Sequence, residues 1–207
     1  MKRGYFITME GPDGSGKSTQ IEMLKAYFID KGYEVIVTRE PGGTMISEKI
    51  RKIILDTENT GMCPVTEALL YAASRAQLVF EVIKPAISKG KIVICDRYID
   101  SSIVYQGIGR GLGADMVMSI NTPAIQNIMP DITFLFDIDP QVALNRKINT
   151  SKADRLELED IKFHKIVYNG YREIAKNNKR IKIINADRDV YAINKDIINC
   201  IKEHLKS

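Results

Sequence analysis

The segment from Gly11 to Ser18 fits the pattern G-x-x-x-x-G-K-[ST] without a mismatch. In loops of this pattern, backbone N–H groups turn inward around phosphate oxygens, and Lys17 would supply a cation for the β- and γ-phosphates. The Ser18 hydroxyl can ligate magnesium. The sequence therefore predicts a site for a nucleoside triphosphate. Its residues are Gly11, Pro12, Asp13, Gly14, Ser15, Gly16, Lys17, Ser18 and Thr19.

A second candidate for chemistry is Asp96-Arg97-Tyr98, which follows the apolar run 92–95. Asp96 at the end of a buried strand can reach the magnesium shell of a bound nucleotide, as a Walker B carboxylate does. Arg97 would then lie beside the phosphates. A strand-end cap for Asp96 and a surface position for Arg97 remain open at this point. The guanine-reading pattern N-K-x-D of GTPases has no good match, since residues 194–197 end in isoleucine, and a kinase is therefore favoured.

The elements that must position these residues alternate along the chain. Periodicity predicts strands at 5–9, 34–38, 91–95, 132–136 and 181–184. It predicts helices at 20–31, 47–55, 66–88, 115–128, 161–176 and 190–205. Strands alternating with helices predict an α/β fold in which helices cover both faces of a parallel sheet, with ligands outside the carboxyl ends of its strands.

Size and composition limit the other possibilities. The 207 residues fit one domain, and a net charge of +4 without a block of five like charges argues against a nucleic-acid partner. No apolar run reaches the roughly 18 residues of a membrane span, and the chain starts directly with a strand. Cys63, Cys95 and Cys200 are far apart and predict reduced thiols. We expect a cytoplasmic protein without a membrane partner.

Four blocks together resemble bacterial thymidylate kinases. They are GPDGSGKS at 11–18, TREPGGT at 38–44, AASRAQ at 72–77 and DRYIDSS at 96–102, and the resemblance runs over essentially the whole chain. It implies a three-layer P-loop NTPase fold with a five-stranded parallel sheet and a lid segment. It also implies a homodimer that transfers the γ-phosphate of Mg-ATP to dTMP in dTTP synthesis.

The chemistry explains why no general base stands out. A phosphate monoester with a second pKa of about 6 is largely ionised at neutral pH, so catalysis reduces to alignment and charge neutralisation. The resemblance implies that Lys17, Asp13, Arg97 and Arg155 are catalytic, and that Ser18 and Asp96 hold the magnesium ion.

The resemblance also implies an acceptor site. Arg39, Arg51 and Arg97 would clamp the dTMP phosphate, because a planar guanidinium meets phosphate oxygens in pairs. Tyr71 would stack on thymine, and Arg75, one helical turn further along, would donate to its exocyclic oxygen. The expected dTMP contacts are Asp13, Arg39, Glu40, Pro41, Arg51, Tyr71, Arg75, Arg97, Ser102, Tyr105 and Gln106. In this site Glu40 would lie near the sugar 3′-hydroxyl, and the peptide bond between Glu40 and Pro41 is expected to be cis. Tyr105 would crowd the 2′ position of the sugar.

The predicted lid spans about 146–156. Arg146, Lys147, Lys152 and Arg155 are its cations, and 149–151 reads as a loop. Gly14 occupies the position where some members of the family carry a catalytic arginine, so the lid should replace it, with Arg155 as the candidate. Arg146 would lie close to the adenine or its phosphates. His164 and His204 are expected on polar helical faces, and the chemistry requires neither of them.

Two other functions stay open from the residues alone. A kinase with a hydroxyl acceptor would need a base, and Glu10 at the end of the first strand is the obvious candidate. A nucleotide-gated binding module would keep ATP affinity with negligible phosphoryl transfer. Arg39, Arg51 and Arg75 favour a phosphorylated acceptor over both.

Overall fold

The computed structural model describes residues 4–147 and 153–204, and five parallel strands form its centre. The strands are β1 Tyr5–Glu10, β2 Val35–Arg39, β3 Ile92–Asp96, β4 Ile132–Asp137 and β5 Ile181–Asn185. Across the sheet they follow the order β2-β3-β1-β4-β5. The predicted parallel sheet is confirmed, and each strand ends one residue later than predicted, because a polar residue at the carboxyl end still belongs to the ladder.

Helices surround the sheet. They are α1 Lys17–Asp30, α2 Met45–Leu55, α3 Pro64–Leu78, α4 Lys84–Ser88, α5 Ile99–Ser102, α6 Ala114–Ile125, α7 Pro140–Lys147, α8 Ile161–Lys176 and α9 Val190–His204. Residues Val79–Ile83 form π-helical turns that join α3 to α4, so the long helix predicted here is continuous. A second π-helical segment, Ile103–Gly109, extends α5.

Two helical segments were not predicted. The segment from α5 to Gly109 carries two glycines and no clear 3.6-residue apolar period, and its helical turns are held by packing against α6 and α8. Helix α7 begins at a proline behind Asp139, whose carboxylate accepts hydrogen bonds from the backbone N–H groups of Gln141 and Val142 at 2.8 and 3.4 Å. Arg146 and Lys147, two cations of the predicted lid, therefore lie on a helix that the sequence did not predict.

The hydrophobic core lies on both faces of the sheet, which makes the molecule three-layered. Ile7 and Met9 of β1 pack with α1 and α9 on one face of the sheet. The side chain of Phe6 points to the other face, because side chains alternate along a strand, and it packs with the π-helical turns before α4. In the described parts of the chain, no helix has both the length and the apolar character needed to cross a membrane.

The register of the sheet aligns the functional strand ends. Asp96, the last residue of β3, pairs with Met9 of β1 on one side and with Arg39 of β2 on the other. The loops that follow β1, β2 and β3 therefore start at the same level of one sheet edge. Ligands of open parallel sheets bind at this edge, beyond the carboxyl ends of the strands.

Candidate active site

A cavity of about 140 Å³ opens at that edge, and every residue predicted for the acceptor lines it except Ser102. Asp13 comes from the loop after β1, Arg39 to Pro41 from the end of β2, and Asp96 to Tyr98 from the end of β3. Tyr71 and Arg75 reach it from α3, and Tyr105 and Gln106 from the π-helical segment after α5. The tertiary structure thus collects residues from widely separated parts of the chain.

The loop between β1 and α1 has the shape of a phosphate cradle. Gly16, immediately before α1, has a left-handed backbone with φ of 91°, a conformation that glycine adopts at no steric cost. The Lys17 ammonium folds back and donates to the carbonyl oxygens of Gly11 at 3.1 Å and Pro12 at 2.9 Å. Burial, together with the nearby Arg97, lowers the pKa of Lys17. The loop amides and the N-terminus of α1 provide the partial positive charge that phosphates need.

Three cations converge on Asp13. Its carboxylate oxygens lie 3.1 Å from Arg97 Nη2, 3.7 Å from Lys17 Nζ and 3.8 Å from Lys147 Nζ. Burial alone would raise the pKa of Asp13, but these cations hold it well below its usual range. Asp13 is therefore ionised at any physiological pH, and it gathers positive charge at the point where the P-loop meets the cavity.

Arg97 is held rigidly in an unusual backbone conformation. Its φ is 67°, in the left-handed region that arginine seldom occupies, and its N–H donates to the Met9 carbonyl oxygen at 2.9 Å. The guanidinium donates to Ser101 Oγ at 3.3 Å, to Tyr171 OH at 3.2 Å and to Asp13, and it lies 5.4 Å from the Tyr105 ring centroid. These contacts direct the arginine into the space between the P-loop and the acceptor residues.

Arg75, a lining residue of the cavity, is fully buried. It donates twice to Glu40 Oε2, at 2.8 and 2.5 Å, once to Ser102 Oγ at 3.0 Å and once to Asn121 Oδ1. Among the described residues, these bonds use four of the five N–H donors of a guanidinium and leave one at Nη1. Ser102 therefore supports Arg75 and is outside the cavity lining, and its contact with dTMP stays a prediction.

Glu40 combines a satisfied oxygen with an unsatisfied one. Both Arg75 bonds go to Oε2, and within the described chain Oε1 is buried without a hydrogen-bond partner. Burial raises the pKa of Glu40 against the opposing effect of Arg75. The peptide bond from Glu40 to Pro41 is cis, as expected. A buried orphan acceptor on a cavity wall is a position where a ligand donor would fit.

The orientation of Gln106 follows from its neighbour Glu67. Gln106 Nε2 donates to Glu67 Oε1 at 2.9 Å, and Glu67 also accepts hydrogen bonds from Arg110 and Arg155. Burial would raise the pKa of Glu67, yet these donors lower it, so the group is a carboxylate that can only accept. The side-chain oxygen of Gln106 therefore faces away from Glu67, and Gln106 lines the cavity.

Arg39, the last residue of β2, and Arg51 of α2 have protein partners. Arg39 Nη2 donates to both carboxylate oxygens of Glu48, at 2.9 and 3.0 Å, and is half exposed. Arg51 Nη1 donates to the Pro41 carbonyl oxygen at 2.7 Å. Both side chains line the same cavity as Arg97.

Two oxygen groups could hold a magnesium ion. Ser18 lies in the first turn of α1, and Asp96 Oδ1 is buried without a hydrogen-bond partner among the described residues. Over the same residues, no cluster of three His, Cys, Asp or Glu could hold a metal. A hydroxyl and one carboxylate suit Mg²⁺, which usually keeps waters and substrate phosphates as its remaining ligands.

The lid cations occupy different places. Arg146 donates to the Ala186 carbonyl oxygen at 3.3 Å and to Asp187 Oδ1 at 2.5 Å, beside the loop after β5. Lys147 pairs with Glu157 and lines the cavity. Lys152 and the segment 149–151 lie outside the described residues.

Arg155 does not reach the cavity in this structure. Its Nη2 lies 2.5 Å from Glu67 Oε2, its Nε donates to the Ile54 carbonyl oxygen at 2.8 Å, and its backbone N–H donates to Leu55 at 3.2 Å. These bonds satisfy carbonyl groups at the end of α2. The expected position of Arg155 beside the phosphates is therefore not the observed one, because a buried carboxylate and a helix end hold it instead.

Two further groups bear on the site. His164, expected on a polar face of its helix, lines the cavity from α8, and its Nε2 is buried without a partner within the described chain. Burial lowers the pKa of His164. Glu10 accepts hydrogen bonds from Tyr98 N at 2.8 Å, Ser101 Oγ at 2.6 Å and Tyr171 OH at 2.8 Å. It is 1% exposed and outside the cavity lining, which disfavours Glu10 as a base for a hydroxyl acceptor.

The parallel sheet, the P-loop and a cavity walled by arginines define a P-loop phosphotransferase. A model of the thymidylate kinase family matches residues 9–197. The thymidylate kinase of Finegoldia magna is 54% identical over 95% of this chain and 97% of its own length. Those of Caldanaerobacter subterraneus subsp. tengcongensis and Bacillus licheniformis are 50% and 47% identical over 99% and 98% of this chain, covering 98% and 97% of their own lengths. The chain belongs to the thymidylate kinase family.

Proposed function

We propose that the chain transfers the γ-phosphate of Mg-ATP to dTMP, giving dTDP and ADP. The observation that carries the proposal is a pair of polar groups in the cavity lining. Gln106 presents an oxygen, since its Nε2 is taken by Glu67, and Arg75 keeps one N–H at Nη1 that has no acceptor among the described residues. An acceptor oxygen and a donor N–H complement the N3–H and exocyclic oxygen of thymine. Relatives named thymidylate kinase support the same acceptor.

The sugar is recognised by Glu40 and Tyr105. The free Oε1 of Glu40 accepts the 3′-hydroxyl, which satisfies an otherwise unpaired buried oxygen. Tyr105, whose ring is fixed near Arg97, fills the space beside the 2′ carbon and favours deoxyribose. Tyr71 stacks on the base from α3.

Arg39, Arg51 and Arg97 bind the acceptor phosphate, and Lys17 binds the donor phosphates. An acceptor oxygen forms the new bond to the γ-phosphorus while the bond from that phosphorus to the β-bridging oxygen breaks, and the electron pair leaves on ADP. The acceptor is already ionised, so no proton moves and no general base is required. Asp13 keeps Arg97 and Lys17 aimed at the line of transfer.

Magnesium, bound through Ser18 and Asp96, would neutralise charge on the donor phosphates. Arg146 of α7, which contacts the loop after β5, covers the adenine end of ATP. For Arg155, a catalytic role requires that it first leave Glu67 and the end of α2.

The proposal includes a homodimer in the cytoplasm. Leu69 and Phe80, on the long helical segment from α3 to α4, are 53% and 66% exposed, and a second subunit would cover them. All three cysteines are free thiols, as a reducing compartment favours. Analytical ultracentrifugation tests the dimer, which a monomeric sedimentation coefficient at micromolar concentration would refute.

The activity is tested by ADP formation with ATP, magnesium and a panel of acceptors. The panel comprises dTMP, dUMP, dCMP, AMP, GMP and thymidine. We expect turnover to be highest with dTMP and absent with thymidine. The function is refuted when dTMP elicits no more ADP than the purine monophosphates do. Replacement of Lys165, an exposed residue of α8, by methionine serves as a control that removes a charge outside the site.

A further inference from the structure

Glu67 is a buried carboxylate that contacts Gln106 from outside the described lining of the cavity. It belongs to the first turn of α3 and is 1% exposed. Its Oε1 accepts hydrogen bonds from Gln106 Nε2 at 2.9 Å and from Arg110 Nε at 3.3 Å. Its Oε2 accepts from Arg110 Nη2 at 3.2 Å and from Arg155 Nη2 at 2.5 Å. Both oxygens of this carboxylate therefore face donors.

The groups around Glu67 keep its carboxylate ionised and in place. Burial would raise the pKa of Glu67, but its hydrogen-bond donors lower it. Arg110 is itself held, because its Nη2 lies 2.6 Å from Glu159 Oε1 and its guanidinium carbon lies 4.7 Å from the centroid of the Phe163 ring. A carboxylate in this state can only accept hydrogen bonds. Gln106 can therefore satisfy Glu67 only with its NH2 group.

We propose that Glu67 is a positioning residue that determines base specificity: it binds the amide nitrogen of Gln106, turns the amide oxygen into the cavity, and so makes the site select thymine over cytosine. This inference rests on the proposed function. Thymine presents N3–H, which needs an acceptor, whereas N3 of cytosine carries no hydrogen and needs a donor. A glutamine by itself offers either group, since a half-turn about its terminal bond exchanges the oxygen and the NH2 group. Glu67 makes that choice.

The substitution Glu67→Gln tests this inference because it keeps the shape of the side chain and reverses what Gln106 must supply. The new amide oxygen must take the position of Oε2 and face Arg110 and Arg155, because arginine can only donate. The new NH2 group then takes the position of Oε1, beside Gln106. Gln106 turns its oxygen toward that NH2 group, and its own NH2 group enters the cavity, where it opposes thymine N3–H.

The measured quantity is the ratio of kcat/KM for dTMP to kcat/KM for dCMP. We expect Glu67→Gln to lower kcat/KM for dTMP by about 10- to 100-fold, the cost of leaving a buried donor opposite another donor. The value for dCMP should stay the same or rise, since the turned Gln106 can donate to N3 of cytosine. The ratio should therefore fall at least tenfold, and a ratio within threefold of wild type overturns the inference.

Two matched variants separate the orientation of Gln106 from the other contacts of Glu67. Arg110→Met removes one partner of Glu67 and leaves the bond to Gln106, and Arg155→Met removes the lid cation that Glu67 holds. We expect each variant to change the turnover of dTMP and dCMP by the same factor, so that the ratio stays within threefold of wild type. A tenfold fall of the ratio in either variant would assign the specificity to packing of the cluster and overturn the inference.

Thermal unfolding shows which variants are folded. Glu67→Gln combined with Arg110→Met removes a buried charge of each sign, so it keeps the test available when the single variant does not fold. Its ratio should lie at least tenfold below that of Arg110→Met. A wild type that does not prefer dTMP to the other monophosphates would overturn the proposed function as well. A wild type that prefers dTMP, with the same preference in Glu67→Gln, overturns this inference alone.

Discussion

Glu40→Gln separates the two roles of the Glu40 carboxylate. Arg75 bonds only to Oε2, at 2.8 and 2.5 Å, while Oε1 has no partner among the described residues. In the variant, the amide oxygen must face Arg75, because the guanidinium can only donate. The amide nitrogen then points to where the 3′-hydroxyl binds, and a charged acceptor becomes a donor.

A hydrogen bond to a charged group is worth about 1.5–3 kcal/mol, and each 1.4 kcal/mol is tenfold. We therefore expect kcat/KM for dTMP to fall by about 10- to 100-fold in Glu40→Gln. The matched assay uses the 3′-deoxy analogue of dTMP, which cannot donate this bond, so its kcat/KM should fall far less. An equal loss with both substrates would refute the assignment, since it would mean that the substitution acts through Arg75 alone.

Three further predictions concern the loop, the metal and a buried acid. Gly14→Ala places a methyl group against Ala143 at a residue with positive φ. It should lower the melting temperature by several degrees and weaken ATP binding, both measured by calorimetry, and unchanged values would contradict the contact. Asp96→Asn should raise the magnesium concentration for half-maximal activity, and an unshifted titration would argue against Asp96 as a ligand. Burial raises the pKa of Glu10 from 4.5 to about 7, so the folded chain keeps a proton that the unfolded chain releases. The free energy of unfolding should therefore fall between about pH 5 and pH 8 in denaturant titrations, and Glu10→Gln should flatten this slope.

The strands and most helices were predictable because local patterns determine them. Buried runs such as 92–95 are continuous in parallel strands, and the amphipathic period of 161–176 matches α8 at both ends. Helix α7 was not predicted because the weak apolar pattern of its eight residues cannot be distinguished from that of a loop. The π-helical segment 103–109 was not predicted because its turns depend on packing against α6 and α8.

The site was predicted in its members but not in its contacts. Arg75 and Gln106 were expected at the base, and both line the cavity. Ser102 was expected beside them, and it supports Arg75 from outside the cavity lining. His164 stands in a helical pattern that does not show what its side chain faces, and the packing of α8 brought it to the cavity wall. No single-chain pattern reports which side chains of distant helices face the same space.

The sequence by itself determined the P-loop, the order of elements and the set of arginines available for phosphate. Phosphate binding by a loop is a local property, because the glycines, Lys17 and Ser18 are consecutive and act through nearby backbone. Only the tertiary structure decided which of the lid cations lies beside Asp13. Arg155 and Lys147 are eight residues apart and both positively charged, yet Glu67 and the end of α2 hold the first, while the contact of Ala143 with Gly14 brings the second to the loop. Packing between distant elements, which local spacing does not encode, makes that choice.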